Sequence, residues 1–446
     1  MTSRLVPDLT APPLVTTAFG WREGWRYGLL GLPLAFCALP LYVLMPNFYA
    51  REWGVPLAAL GTVLLAARLL DAVIDPLLGR LIDRLYARSL AAVLACGAVA
   101  ALCLGLGFSA LFLPPLRDPQ ALLLWAAAAL VFTYAAYSAL AVAHQAWGAM
   151  LGGDAARRSR IVAWREGLGL AGVVLAAITP AVVPEAWSVP TLLVLLWIAL
   201  VAGFWAWYQA PRPPRPAAAA THSMSSSALS LWHPWRQTAF RRLLAVFMLN
   251  GIASAIPATL VLFFVQDRLQ GSAALQSGAL GLYFVCGALS MPLWLRLVSR
   301  LGLARSWLVG MVLSMAVFLG ASQAGAGDEA LFLAVCALSG IGLGSDLVLP
   351  GALLAGVIAD AGEQGRRDAS YFGWWNFATK LNLALAAGLA LPLLAWLGYA
   401  PGARDVHATA MLTAAYCLLP CALKAAAAAA LYVFFIRPQG DLGYAT

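Results

Sequence analysis

Runs of about twenty apolar residues recur from Tyr27 to Phe435, with no polar stretch long enough to form a separate soluble domain. A helix needs about 20 apolar residues to cross the roughly 30 Å hydrocarbon layer of a bilayer. Counting such runs predicts twelve membrane-spanning helices with soft limits at 27–49, 56–79, 89–113, 120–150, 160–183, 190–210, 241–265, 275–297, 304–323, 329–357, 370–397 and 408–436. The fourth and tenth exceed what a bilayer requires, which implies tilt or extension beyond it. Charged residues make up 11% of the chain, against about 25% in a soluble protein, so an ordinary cytosolic enzyme is excluded. The seven cysteines all fall inside apolar runs with no Cys-x-x-Cys pair. They read as small buried hydrophobes, not as disulfides or thiolate metal ligands.

Loop arginines set the orientation. Arg80, Arg84, Arg88, Arg157, Arg158, Arg160, Arg165, Arg212, Arg215, Arg236, Arg241, Arg242, Arg296, Arg300, Arg305, Arg366, Arg367 and Arg437 fall on one side, while Arg51, Arg117, Arg268 and Arg404 fall on the other. The positive-inside rule then places both termini in the cytoplasm. The net charge of +9 is thereby topological, and no nucleic-acid partner is expected. Residues 1–26 lack an apolar core followed by a small-residue cleavage site, so they read as a cytoplasmic tail with no signal peptide. The Pro-, Ala- and Ser-rich stretch at 211–240 reads as a cytoplasmic linker between six-helix halves at 27–210 and 241–436, with a tail at 437–446. The halves echo each other. Gly79, Asp83, Arg84 and Arg88 follow span two, and Arg296, Arg300, Gly302 and Arg305 follow span eight. Matched halves are the plan of repeat-built transporters, whose solute site lies near the midplane between them.

Inside the second apolar run, Arg68, Asp71 and Asp75 are spaced to share one helical stripe. Each charge at the centre of a spanning helix costs roughly 2.5–3.5 kcal/mol on insertion scales. Such residues face a protected interior and have partners. Two neighbouring carboxylates in a low-dielectric site can accept a proton or, with more oxygen ligands, hold a monovalent cation. A structural ion pair between helices is the alternative. Lys380, about ten residues into span eleven, needs an anionic neighbour, and the aspartates of span two are the natural one. Asp346 in span ten is a second acid, expected to pair with Lys380, to form a second protonation site or to serve a structural role. Lys424 in span twelve has no evident partner in the sequence.

Three short motifs carry a family resemblance. They are Arg68-x-x-Asp71-Ala72-x-x-Asp75-Pro76 with Gly79, then Trp147-Gly148-Ala149 leading to Asp154 and Arg160, and the stretch from Tyr371 to Lys380. With the 6+6 plan they resemble the major facilitator superfamily, and within it the glycoside–pentoside–hexuronide:cation symporters of the melibiose-permease type. The resemblance covers nearly the whole chain. It implies an all-α membrane fold of twelve helices, a coupling cation at Asp71 and Asp75, and a lysine near cation and sugar at Lys380. The sequence departs from the pattern at Ala35 and Ala143, where relatives carry sugar-contacting acids, and at Ile74 and Leu140, where they carry cation-binding polar residues. With no oxygen at Ile74 or Leu140, a proton is favoured over sodium.

The candidate solute contacts are His144, Gln145 and Trp147 on span four and Trp374, Trp375 and Asn376 on span eleven. Indole faces stack on sugar rings, while amides and imidazoles bind hydroxyls. His144 reads as a ligand contact or a proton relay, and otherwise as a satisfied helix–helix hydrogen bond. Arg68, Lys380 and Asp346 are the candidate coupling residues. Asp83–Arg84, Asp154–Arg160 and Arg165–Glu166 are expected as salt bridges between the halves that close the cytoplasmic side. No GxxxxGK[ST] phosphate loop and no HExxH-like spacing occur, so neither ATP-driven transport nor an intramembrane enzyme is expected. The expectation is a monomeric symporter in the bacterial inner membrane, without cofactor, moving a sugar, glycoside or related polar solute by alternating access. An efflux or lysolipid transporter of the same fold is the alternative.

Overall fold

The apolar runs fold as helices that satisfy their own backbone hydrogen bonds, as lipid requires. The computed structural model describes residues 19–214, 230–399, 402–403 and 405–438. The expected tails and linker therefore lie largely outside the described residues, as do Arg215 and Arg404.

The first half begins with α1 (Trp21–Gly28) and α2 (Gly31–Leu39), continues through a π-helical turn at Pro40–Leu44, and reaches α3 (Met45–Glu52). Then come α4 (Leu57–Arg88), α5 (Leu90–Phe112), α6 (Pro119–Met150), α7 (Ala155–Val182) and α8 (Glu185–Tyr208). After the short α9 (His233–Arg236), the second half comprises α10 (Thr238–Phe263) with a π turn at Phe264–Arg268, α11 (Ala273–Leu301) and α12 (Leu303–Ala321). It ends with α13 (Glu329–Asp360), α14 (Asp368–Trp396) and the interrupted run of α15 (Val406–Thr413) and α16 (Leu419–Leu431). Among the described residues, ten helices are long and apolar enough to cross a membrane. Together with α4 and the broken run α2–α3, they are consistent with the expected twelve.

The boundaries shift where helices outlast the bilayer. The tail expected to reach residue 26 is helical from Trp21, and the linker expected to reach 240 yields to α10 at Thr238. The helices α4, α6 and α13 are each 32 residues long, which is ~48 Å at 1.5 Å per residue. They project well beyond the hydrocarbon. Leu124, Ile198, Val201 and Leu289 stand 60–75% exposed, an apolar surface of the kind a membrane covers.

The halves meet at the end that carries the arginine loops. One buried cluster there joins Ala149, Val162, Ala163 and Leu170 of the first half to Leu243, Met291, Val348 and Trp375 of the second. Two other clusters lie away from this seam, one almost entirely in the first half and one at the opposite end of the second. The seam is built from α4 against α14 and from α7 against α11 and α13. Glycines permit its closest approaches. A Cβ at Gly79 would stand 2.3 Å from the Ala369 carbonyl oxygen, and one at Gly373 would stand 2.6 Å from that of Asp75.

Candidate functional site

The helix α4 turns its acids inward because its other face is apolar. Leu69, Leu70, Val73 and Leu77 are 44–59% exposed, whereas Asp71 is 3% and Asp75 0% exposed. Arg68, one turn from Asp71, is half-buried. Pro76 follows Asp75 and has no N–H to return to the Ala72 carbonyl, and Gly373 of α14 packs against this point.

Lys380 of α14 reaches across the seam into the two carboxylates. Its Nζ lies 2.6 Å from Asp71 Oδ2 and 2.8 Å from Asp75 Oδ2. It donates hydrogen bonds to Asp75 Oδ1 at 2.9 Å and to Ser138 Oγ of α6 at 2.8 Å. Ser138 in turn donates to Asp71 Oδ1 at 2.8 Å. Asp75 Oδ2 is close to the ammonium yet has no aligned donor. Two carboxylates and one ammonium meet here, with Arg68 one turn away on the same helix.

Ser138 was absent from the sequence expectation, which placed the hydroxyl position of α6 at Leu140. Leu140 is wholly buried in the first-half core. Two residues along a helix turn the side chain by about 200°, so Ser138 meets the carboxylates while Leu140 points away. The available signal was that Ser138 is the lone serine of an alanine-rich helix.

Of the alternatives open for Asp346, pairing with Lys380 is not the one the structure shows. Its carboxylate pairs with Lys424 at 2.9 Å, and it accepts from Ser254 Oγ at 3.1 Å and from the Trp307 indole at 2.9 Å. Lys424 also donates to Asn250 Oδ1 at 2.8 Å and Ser254 Oγ at 3.2 Å. The second half thus contains its own ion pair, at the base of a cavity of about 360 Å³. The lysine that lacked a partner in the sequence is the partner Asp346 uses.

The proposed solute contacts serve packing in this conformation. His144 is wholly buried, its Nε2 is 2.8 Å from the Tyr27 carbonyl, and its ring lies 4.4 Å from the Tyr27 ring. That is the helix–helix hydrogen bond. Trp147 donates to the Pro211 carbonyl and Trp374 to that of Leu231, so both indoles anchor the ends of the linker. Trp375 stacks on Phe247 at 3.8 Å. Gln145 and Asn376 are half-buried, and Gln145 Oε1 has no hydrogen-bond partner.

The expected salt bridges between halves are also corrected. Asp154 caps its own helix through the Arg157 amide at 2.8 Å, and Arg160 donates to the Phe19 carbonyl at 3.4 Å. Arg165 pairs with its sequence neighbour Glu166 on the same helix. Arg84 is exposed, and Asp83 crosses the seam without it. The Asp83 carboxylate accepts from the Ala369 and Ser370 amides at 2.9 Å each and from the Ser370 hydroxyl. It sits at the N-terminus of α14, where two free backbone amides donate to it. Charges near this seam find backbone partners, which cost less order than two long side chains.

Two matched helical halves, an apolar outer surface and an ion pair across the seam describe a multi-span membrane transporter. The chain belongs to the MFS/sugar transport protein family, whose model matches residues 24–437. Among curated proteins it is similar to the "Putative glycoside/cation symporter YagG" of Escherichia coli (strain K12), 28% identical over 148 residues. That match spans 33% of this chain and 32% of the relative's length. The fold is similar to the outward-facing structure of a bacterial homologue of the iron transporter ferroportin, with TM-score 0.68, 14% identity, and 92% and 99% of the two chains covered. It is also similar to the E. coli fucose:proton symporter FucP, with TM-score 0.63, 15% identity, and 91% and 97% covered. At such identities these structures establish the shared fold. The family and the fold are those of membrane transporters.

Proposed function

We propose that the protein is a cation-coupled symporter of a sugar, glycoside or related polar solute, set in the plasma membrane with both termini cytoplasmic. The observation that carries this reading is Lys380 of one half held between Asp71 and Asp75 of the other. A cation bound at these carboxylates competes with the ammonium for the same oxygens. Cation occupancy then bears directly on how tightly α14 holds α4. The partial match to a glycoside/cation symporter supports the solute class.

The coupling ion favoured here is the proton. Lys380 already occupies the centre of the oxygen cluster, where sodium would have to sit. A proton adds to a carboxylate oxygen, such as Asp75 Oδ2, without expelling the lysine first. The test is uptake of a glycoside, pentoside and uronide panel into proteoliposomes under imposed proton or sodium gradients. Uptake driven by the proton gradient, and lost in Asp75→Asn, is the expected result. Gradient-driven uptake that survives Asp75→Asn would sink the coupling role. Movement of lysophospholipids with no sugar uptake would transfer the protein to the amphiphile carriers.

A further inference from the structure

The cavity inside the second half is chemically unlike the site at the seam. Its walls are mainly apolar and aromatic, with Tyr283 and Phe284 of α11, Phe318 of α12, Phe332 of α13 and Tyr416 of the last helical run, and Gln276, Ser314 and Ser339 add neutral polar groups. Ala258 and Leu262 of α10 and Leu280 of α11 line it and stand exposed, which marks its mouth. Among the described residues, Asp346 and Lys424 are the only charged groups in the lining. They cancel. A charged ligand would leave one uncompensated charge in a low-dielectric interior, which is costly.

Hydrogen-bond accounting narrows the ligand further. An ammonium has three donors, and Lys424 spends all three on Asn250, Ser254 and Asp346. A carboxylate has about four acceptor positions. Asp346 fills three, from Trp307, Ser254 and Lys424. Its side chain is the more accessible member of the pair, at 14% against 6% for Lys424. The pair therefore offers an entering molecule one acceptor and no donor. A volume of about 360 Å³ falls within the range of small-molecule sites.

We propose that this cavity binds a small neutral amphiphile, with an apolar or aromatic body against the ring-lined walls and a single hydroxyl or N–H donating to Asp346. Alkylphenols and related alcohols are the ligand class. The proposal is independent of the symport reading and of the charge cluster at the seam.

The test uses the full chain in lipid nanodiscs and a 4-butylphenol carrying a diazirine in its alkyl chain. Matched benzoate and benzylammonium probes carry the charge. Photolabelled peptides are mapped by mass spectrometry. Labelling of the segments around Phe318, Phe332 and Tyr416 is expected to saturate, to be displaced by unlabelled 4-butylphenol, and to exceed both charged probes at least tenfold. Labelling that rises without saturation, as simple lipid partitioning would, overturns the proposal, and so does a charged probe that labels as strongly. In Asp346→Asn the site carries one net positive charge, so the benzoate is expected to overtake the phenol. An unchanged preference in that variant also overturns it.

Discussion

Ser138 Oγ joins the two sides of the charged cluster, accepting from Lys380 while donating to Asp71. Removing it strands an ammonium N–H and a carboxylate oxygen in a buried place. Hydrogen bonds to charged groups contribute about 1.5–3 kcal/mol each, and an unsatisfied buried partner adds its desolvation cost. Ser138→Ala is therefore expected to lower the thermal unfolding midpoint of the purified protein. Ser138→Thr, which keeps the hydroxyl, should retain most of the stability. Equal midpoints for alanine and threonine variants would show that the hydroxyl bears no load. At this scale the sequence was informative about Asp71, Asp75 and Lys380, because charges in an apolar run demand partners. It was silent on Ser138, since a serine in a helix commonly bonds its own backbone. It left Asp346 open, because two lysines compete for one acid and only packing chooses between them.

At the scale of elements, α4 and α14 approach closely because glycine stands where they cross. The oxygen that a Gly79 side chain would meet belongs to the Ala369 backbone, which cannot swing aside as a flexible side chain could. Gly79→Ala is accordingly expected to pry the two helices apart at the arginine-loop end and favour the conformation open on that side. Spin labels on the loop ends of α4 and α14 should report a longer mean separation. An unaltered distance distribution would remove the glycine from the closing mechanism. The helices themselves were legible from the length of the apolar runs. Their ends were not, since α4, α6 and α13 carry helical hydrogen bonding past the hydrocarbon, where hydropathy no longer marks the boundary. A π turn at Pro40–Leu44 lies inside the first helical run of the first half, and one at Phe264–Arg268 ends that of the second, features that residue identity does not display.

Across the whole molecule, the closed arginine-loop end is held by a shared apolar cluster and by Asp83 at the N-terminus of α14. Asp83 lies past the apolar part of α4. Burial pushes its carboxyl from 3.8 up to about 7, against the lowering effect of the hydrogen bonds from Ser370 and Ala369 and the nearby Arg367. The closed contact therefore holds a proton up to about pH 7 that a water-exposed Asp83 releases near pH 4. Linkage then gives the sign: closure binds more protons, so it is most favoured below about pH 4 and weakens as pH rises towards 7. Inter-half distances measured by spin labels at the arginine-loop end are expected to lengthen across that interval. The Asp83-dependent part of the change should vanish in Asp83→Asn. A pH response identical in that variant would assign the effect to other groups.

The sequence alone determined that this chain is an all-helical membrane protein in two halves, because apolar length and charge placement are local properties that lipid and water read directly. It also singled out the acids of α4 and the lysine of α14, since each is costly without a partner. Only the tertiary structure decided who the partners are. Pairing depends on which helix faces which, and that is set by shape at the crossings, where Gly79 and Gly373 allow contact. The same packing moved His144, Trp147 and Trp374 from expected solute contacts to joints of the scaffold. It also assembled, from five separated helical segments, a neutral-balanced cavity that no stretch of the sequence announces.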